Sequence, residues 1–313
     1  MNPPLIIAEN LSKFYGASPA LRDLTLKVRQ GEIFGLLGPN GSGKTTAIRL
    51  LLGFLRPTTG RASVAGFDSW RRSVDARRLV SYMPGELRIS GSMTGFGVLK
   101  FLSGLRGGEG LDRAVAIAER VMRLDLGRKV RKYSTGMKQK LALAQVFADP
   151  AEILILDEPT SALDPSARAD VLQLIREARE QGQTIIFSGH VLSEIEAVCD
   201  RVAILRRGRL VHVEDMGARR RLRMILARFA GDTPPPIPEE LELSIRRPEG
   251  AAWLLEHRGA LGPLLGWLAT ADVEDVAIGT EDLRALYDQY HGPGAAGDED
   301  GDGADNQDEE LSQ

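Results

Sequence analysis

Eight residues, GPNGSGKT at 38–45, fit the spacing G-x-x-x-x-G-K-[ST]. The chemistry this spacing serves is phosphate binding. Gly38, Gly41 and Gly43 let the backbone turn tightly around Pro39, Asn40 and Ser42 and aim its N–H groups inward, so a triphosphate meets a ring of donors. Lys44 adds a point charge for the β and γ phosphates, and the hydroxyl of Thr45 is a ligand for Mg²⁺, with Thr46 directly behind it. The strand-like IFGLL before the loop and the helix-like TAIRLLLGF after it are the required context. Together they put the positive end of a helix at the phosphates.

A nucleotide site also needs an acid at the end of a strand, and ILILDEP at 153–159 supplies one. Asp157 comes at the carboxyl end of a buried apolar run, where it can hold the metal. Glu158 follows at once and faces another way, placed to polarise an attacking water. A third stretch, SYMPGELRIS at 81–90, ends an apolar run in Pro84-Gly85-Glu86, which reads either as a plain turn or as part of the site.

The elements that must position these groups are legible as periodicity. Strand patterns occur near 5–9, 20–28, 32–37, 61–65 and 79–82, then helical patterning from about 94 to 148. Beyond 152, the β-rich runs EILIL, QTIIFS and RVAIL alternate with helical stretches at 166–180 and 191–198, which argues for an α/β protein with a largely parallel sheet. After about 215 the composition shifts: GARRRLRMILARF reads as a basic helix with a solvated arginine face, TPPPIP at 233–238 as a stiff linker, and 239–290 as a small α+β unit around Trp253 and Trp267.

Composition sets the outer bounds. A chain of 313 residues has room for one full α/β domain and a smaller unit. The longest apolar runs are far too short to cross a bilayer, and MNPPLIIAEN has no basic start, so a cytoplasmic setting is expected. Cys199 is the only cysteine and reads as packing. The net charge is −3, yet residues 298–310 carry eight acids and no cation; setting these aside leaves +5. That acidic segment reads as a solvated, disordered tail. The expected division is therefore 1–215, 216–292 and a tail at 293–313.

The order of motifs narrows the class. After the phosphate loop come YSTGMKQK at 133–140, ILILDEPTSALD at 153–164 and FSGH at 187–190, and over residues 5 to about 213 this series resembles the ATP-binding subunits of ABC transporters. The resemblance implies a P-loop NTPase core with a parallel sheet, an antiparallel β subdomain and an α-helical subdomain, followed here by the small C-terminal α+β unit. It implies ATP and Mg²⁺ as cofactors and a homodimer or pseudo-dimer formed through the ATP sites. Ser134 and Gly136 would then face the γ-phosphate held by the opposite subunit; Thr135 stands where the family usually has glycine, which adds a Cβ. His190 would be the switch histidine at the γ-phosphate. Asp164 would touch the partner, besides serving as a helix N-cap before Pro165. Tyr15, with Phe14 as the other candidate, would stack on adenine. A separate integral-membrane permease would dock beside residues 85–107, leaving this chain peripheral on the inner face of the membrane, with no nucleic-acid partner. The arrangement is most similar to exporters of antibiotics and sodium. The rival class is a soluble ATPase of the same superfamily acting in translation or DNA repair, against which stand a single phosphate loop, no sustained heptads and one cysteine.

The resemblance also sharpens the question of SYMPGELRIS. The family's strand ends here in a glutamine that reaches Mg²⁺ and water, and Gly85 occupies that position. Either Glu86 serves as the metal or water ligand, or the loop keeps only a mechanical role.

Overall fold

The computed structural model describes residues 3–291 apart from 232, 250, 251, 281 and 282. The acidic segment therefore lies outside the described residues. Along the chain, β1 (Pro4–Tyr15) and β2 (Ser18–Arg29) precede β3 (Ile33–Leu37), α1 (Lys44–Leu51), β4 (Thr59–Val64), β5 (Phe67–Asp68), α2 (Ser73–Arg78) and β6 (Val80–Met83). Then come α3 (Gly95–Gly104), α4 (Leu111–Ala116), α5 (Thr135–Ala148), β7 (Ile153–Asp157), α6 (Pro165–Glu180), β8 (Thr184–Gly189), α7 (Leu192–Val198), β9 (Arg201–Arg206) and β10 (Arg209–Asp215).

These strands form a ten-stranded sheet in the order β5-β4-β1-β2-β10-β9-β3-β8-β7-β6. It is mixed. The run β9-β3-β8-β7-β6 is parallel, whereas β10 is antiparallel to β9, and β1, β2, β4 and β5 pair antiparallel. The largely parallel sheet expected from sequence is thus one half of it, from β9 to the β6 edge, with an antiparallel wing on the other side. β3 and β7 are buried at every position, and alternate residues enter different cores. Ile153 and Ile155 pack with Phe34, Leu36 and Ile48 on the α1 side. Leu154 and Leu156 pack with Leu141, Val171 and Phe187 beneath α5 and α6. A strand covered on both faces shows an unbroken apolar run rather than alternation, which is why ILIL is so conspicuous in the sequence.

The helical region is broken more than its patterning suggested. A π turn at Ile117–Val121 ends α4, a 3-10 turn spans Val130–Lys132, and Ser134 opens α5 by accepting a hydrogen bond from the Met137 N–H at 3.2 Å.

The basic helix read from GARRRLRMILARF is corrected. It splits into α8 (Met216–Arg221) and β11 (Arg223–Phe229). Ile225, Ala227 and Phe229 are buried at a spacing of two, and this period wins over the arginine-rich start. The solvated arginine face holds only in part: Arg220 and Arg221 are exposed, Arg220 also donating to the carbonyls of Glu196 (2.7 Å) and Cys199 (2.9 Å), whereas Arg219 is buried and the half-buried Arg223 donates to the carbonyl of Gly259 (3.0 Å).

β11 lies inside a second, four-stranded antiparallel sheet, β12-β13-β11-β14, with β12 (Leu243–Glu249), β13 (Ala252–His257) and β14 (Val273–Thr280). Helix α9 (Leu261–Thr270) covers one face through Leu264, Trp267 and Leu268 against Ile225 and Leu255. The final helix, α10 (Leu283–His291), returns to the first body. Leu283 is buried in the core beneath α7, and its N–H donates to Glu196 Oε1 at 2.6 Å.

Candidate functional site

The phosphate loop joins β3 to α1. Gly41 and Gly43 hold φ of 80° and 105°, a region that penalises a Cβ. A Cβ on Gly38 would lie 2.5 Å from both Leu205 O and Ser42 Oγ, while one on Gly41 would meet nothing, so the loop is packed behind and open in front. Lys44 folds back under it, donating to the carbonyls of Gly38 (2.7 Å) and Pro39 (3.2 Å). Its side chain is only 5% exposed, and its charge is balanced by Glu158 Oε1 at 3.3 Å.

Glu158 follows the end of β7 with φ 50°, an uncommon conformation for a residue with a side chain. Its backbone is pinned because the N–H donates to Ser188 Oγ at 3.0 Å. Ser188 in turn donates to Asp157 Oδ1 at 2.6 Å, and it sits opposite Asp157 in the β7·β8 register. His190, half exposed just past β8, brings Nδ1 to 3.8 Å from Glu158 Oε2. Lys44, Asp157, Glu158 and His190 are thus one cluster built from the carboxyl ends of three parallel strands, as nucleotide sites of open α/β sheets require.

Thr45, Arg49, Tyr82, Gly85, Glu86 and Asp157 line an open cleft of about 450 Å³ beside this cluster. A Cβ on Gly85 would stand 3.7 Å from Asp157 Oδ2, so a longer side chain there would reach the carboxylate, and glycine leaves that space clear. Glu86 is exposed in the same cleft. Burial, with the Asp157 charge second, pushes the Tyr82 hydroxyl up to about 12, so it stays protonated. Among the described residues no cluster of three or more His, Cys, Asp or Glu forms a metal site by itself. The donor set on offer is a hydroxyl and a carboxylate, Thr45 and Asp157. These hard oxygens suit Mg²⁺ when phosphate oxygens complete the shell.

Ser134 and Gly136 lie elsewhere, with no hydrogen bond to residues 38–46 among the described residues. A Cβ on Gly136 would meet Ala162 O at 2.7 Å, so the start of α5 presses on the loop after Glu158. Thr135 is the first residue of α5 with ordinary helical backbone, and its Cβ costs nothing here. Gln139 clasps the same loop: its amide donates to Glu158 O (3.1 Å) and Pro159 O (2.6 Å) and accepts from Ala162 N (3.1 Å). Asp164 caps α6 through Ala167 N at 2.9 Å; that bond, with Lys140 beside it, holds its carboxyl below the usual range. Tyr15 ends β1 55% exposed, and Phe14 is half-buried. The core alternative for Tyr15 is therefore excluded. The hairpin abuts the phosphate loop at Ala20, whose carbonyl lies 3.0 Å from a Cβ on Gly43. Ser188 and Gln139 were not singled out from sequence, because their roles depend on strand register and on a clasp across a loop. Cys199 is fully buried, which pushes its thiol up, in keeping with the packing role.

A mixed sheet whose parallel strands end at a phosphate loop and an Asp–Glu pair defines a P-loop ATPase. The family model for ABC transporters matches residues 21–161. Linearmycin resistance ATP-binding protein LnrL of Bacillus subtilis (strain 168) is 31% identical over 213 residues, covering 67% of this chain and 68% of that protein. Bacitracin transport ATP-binding protein BcrA of Bacillus licheniformis is 34% identical over 211 residues, covering 66% and 68%. A solved ATP-binding subunit of an ABC transporter superposes with a TM-score of 0.64 at 30% identity, over 69% of this chain and 92% of that one. The chain belongs to the ABC transporter ATP-binding proteins, and its function is that of an ATP-hydrolysing transporter subunit.

Proposed function

We propose that the chain clamps Mg·ATP between its own phosphate loop and the Ser134–Gly136 segment of a second copy, with Glu158 activating the water that attacks the γ-phosphate. The observation that carries this reading is the convergence on one carboxylate, with Lys44 Nζ at 3.3 Å and His190 Nδ1 at 3.8 Å. Lys44 is paired with Glu158. A γ-phosphate competes for that ammonium, releasing Glu158 to accept a proton, while His190 steadies the transferred group. Thr45 and Asp157 would hold Mg²⁺, which would supply positive charge against the phosphates. Glu86 lies in the same cleft and serves as a further oxygen ligand. The N–H groups of residues 38–46 cradle the phosphates, and Tyr15 stacks on adenine.

In this reading residues 1–215 are the nucleotide-binding domain and 216–292 an accessory domain whose last helix straps back onto the first. The permease docks in the groove between β6 and α3, where Phe101 and Leu105 are 56% and 69% exposed. Among the described residues no helix is long and apolar enough to cross a membrane, so the chain sits peripherally on the inner face beside that partner. The likeness to LnrL, a linearmycin resistance protein, and to BcrA, a bacitracin transport protein, supports export of an antimicrobial compound. Glu158→Gln tests the catalytic core of this reading. Single-turnover hydrolysis should fall about 10²- to 10⁴-fold, as expected on losing a general base, with ATP still bound. Equal rates would overturn it.

A further inference from the structure

Glu194 is a carboxylate that the ATP site does not use. It lies on α7, four residues after His190, and is only 7% exposed, where an ionised acid is disfavoured unless it is paired. Its Oε2 accepts from the Thr160 hydroxyl at 2.6 Å, and Thr160, two residues after Glu158, is itself only 5% exposed. Oε1 has no hydrogen-bond partner among the described residues. Arg168 brings Nη1 to 3.7 Å from it, while its Nε donates to Leu163 O at 3.0 Å.

This buried bond joins the loop that begins at Glu158 to the span that carries His190. The α7 side is firm, because Ile195 and Cys199 are seated in the core beside Gly35 of β3. The loop side is strained: Glu158 holds φ 50°, and a left-handed backbone at a residue with a side chain persists only when its surroundings over-determine it. Three groups do so. Ser188 Oγ accepts from the Glu158 N–H at 3.0 Å, Gln139 holds the carbonyls of Glu158 and Pro159 from the α5 side, and Thr160 is pegged to Glu194 from the α7 side.

We propose that the Thr160–Glu194 pair is a strut that sets the Glu158 carboxylate against His190, so that Glu194 is a positioning residue for hydrolysis. This rests on the catalytic roles given above to Glu158 and His190. Losing the peg lets Glu158 leave its left-handed backbone, and its carboxylate then moves off the 3.3 Å approach to Lys44 Nζ and the 3.8 Å approach to His190 Nδ1. A misplacement of about 1 Å at a reacting group is enough to cost about 10²-fold in rate. The phosphate loop keeps its own contacts, so nucleotide binding is spared.

Thr160→Val in the full chain keeps the shape and removes the donor. Its single-turnover hydrolysis should fall at least about tenfold with the Kd for MgATP within about twofold of the parent, and Thr160→Ser, which restores a hydroxyl, should return to within about threefold. Thr160→Val also leaves a buried acceptor without its donor, which lowers stability. The paired variant Thr160→Val with Glu194→Leu removes both polar groups, so its Tm should recover toward the parent while its rate stays low. Recovery of the rate along with Tm would make the pair a packing feature and overturn the proposal, as would a Thr160→Val rate equal to the parent's. Action through His190 is read in a His190→Ala background, where Thr160→Val should slow the reaction less than about twofold; a further loss of about tenfold there overturns the strut. Glu158→Gln keeps the two readings apart. If it turns over like the parent, the ATP reading falls and the strut with it, whereas a normal Thr160→Val beside a slow Glu158→Gln removes the strut alone.

Discussion

Glu86 is where residue chemistry and backbone placement meet. The glutamine position carries Gly85, whose missing side chain leaves open the space next to Asp157, and Glu86 follows it into the same cleft as Thr45. A carboxylate there has a hard oxygen to offer Mg²⁺. Glu86→Ala is expected to weaken Mg²⁺-dependent hydrolysis more than ATP binding in metal-free buffer, compared by steady-state rates and equilibrium titration. No change in either would leave the loop with only its mechanical role. At this scale the sequence was most informative. Lys44, Asp157 and Glu158 are legible from motif and strand position and His190 from the family resemblance, and the structure brings them together. Ser188 and Gln139 were missed because a hydroxyl opposite Asp157 shows only once β7 and β8 are in register.

Elements were legible where one period ruled. ILIL and TIIF are buried on both faces and read as strands at once, whereas RRRLRMILARF changes period within a few residues and was read as one helix. Which sheet a segment joins was not legible at all. Helix α10 follows the second sheet in sequence but seats Leu283 in the first core. Leu283→Ala should lower stability by about 2–5 kcal/mol, the usual cost of such a cavity, measured by denaturant unfolding of the whole chain. An effect below about 0.5 kcal/mol, the range of a surface change, would show the helix to be loosely attached. The second sheet carries its own pH sensitivity. His257, at the end of β13, is fully buried with neither ring nitrogen hydrogen-bonded among the described residues. Burial, then the Arg223 charge, depresses its affinity for a proton. The unfolded chain titrates near the ordinary value of about 6.5 and takes up the proton first. Stability is therefore full above that pH and lost as pH falls from about 6.5 toward the depressed folded value. Thermal melts of the parent should drop over this window, and His257→Leu should flatten the slope. Parallel profiles would remove His257 as the cause.

At the scale of the molecule, the two halves of the proposed ATP clamp point to separate neighbours. Ser134 and Gly136 make no hydrogen bond to the phosphate loop of their own chain, yet Gln139 ties the start of α5 to the loop after Glu158. In the clamp proposed above a second copy would supply the other half, and nucleotide would stabilise the closed pair because it would bind both faces. Light scattering should find Glu158→Gln dimeric with MgATP and monomeric without it, and adding Gly136→Asp should keep it monomeric. A dimer that forms equally without nucleotide would argue for another interface.

The return of α10 has one further consequence. The second sheet is entered through α8, whose Arg220 grips the carbonyls of Glu196 and Cys199 at α7, and it is left through α10, anchored at Glu196 and Leu205. Both moorings fall on the segment from β8 to β9 that also carries His190. A module moored at two points on one span behaves as a stiffening rib, not a pendant. Any twist of the His190 segment would therefore reach it as torque.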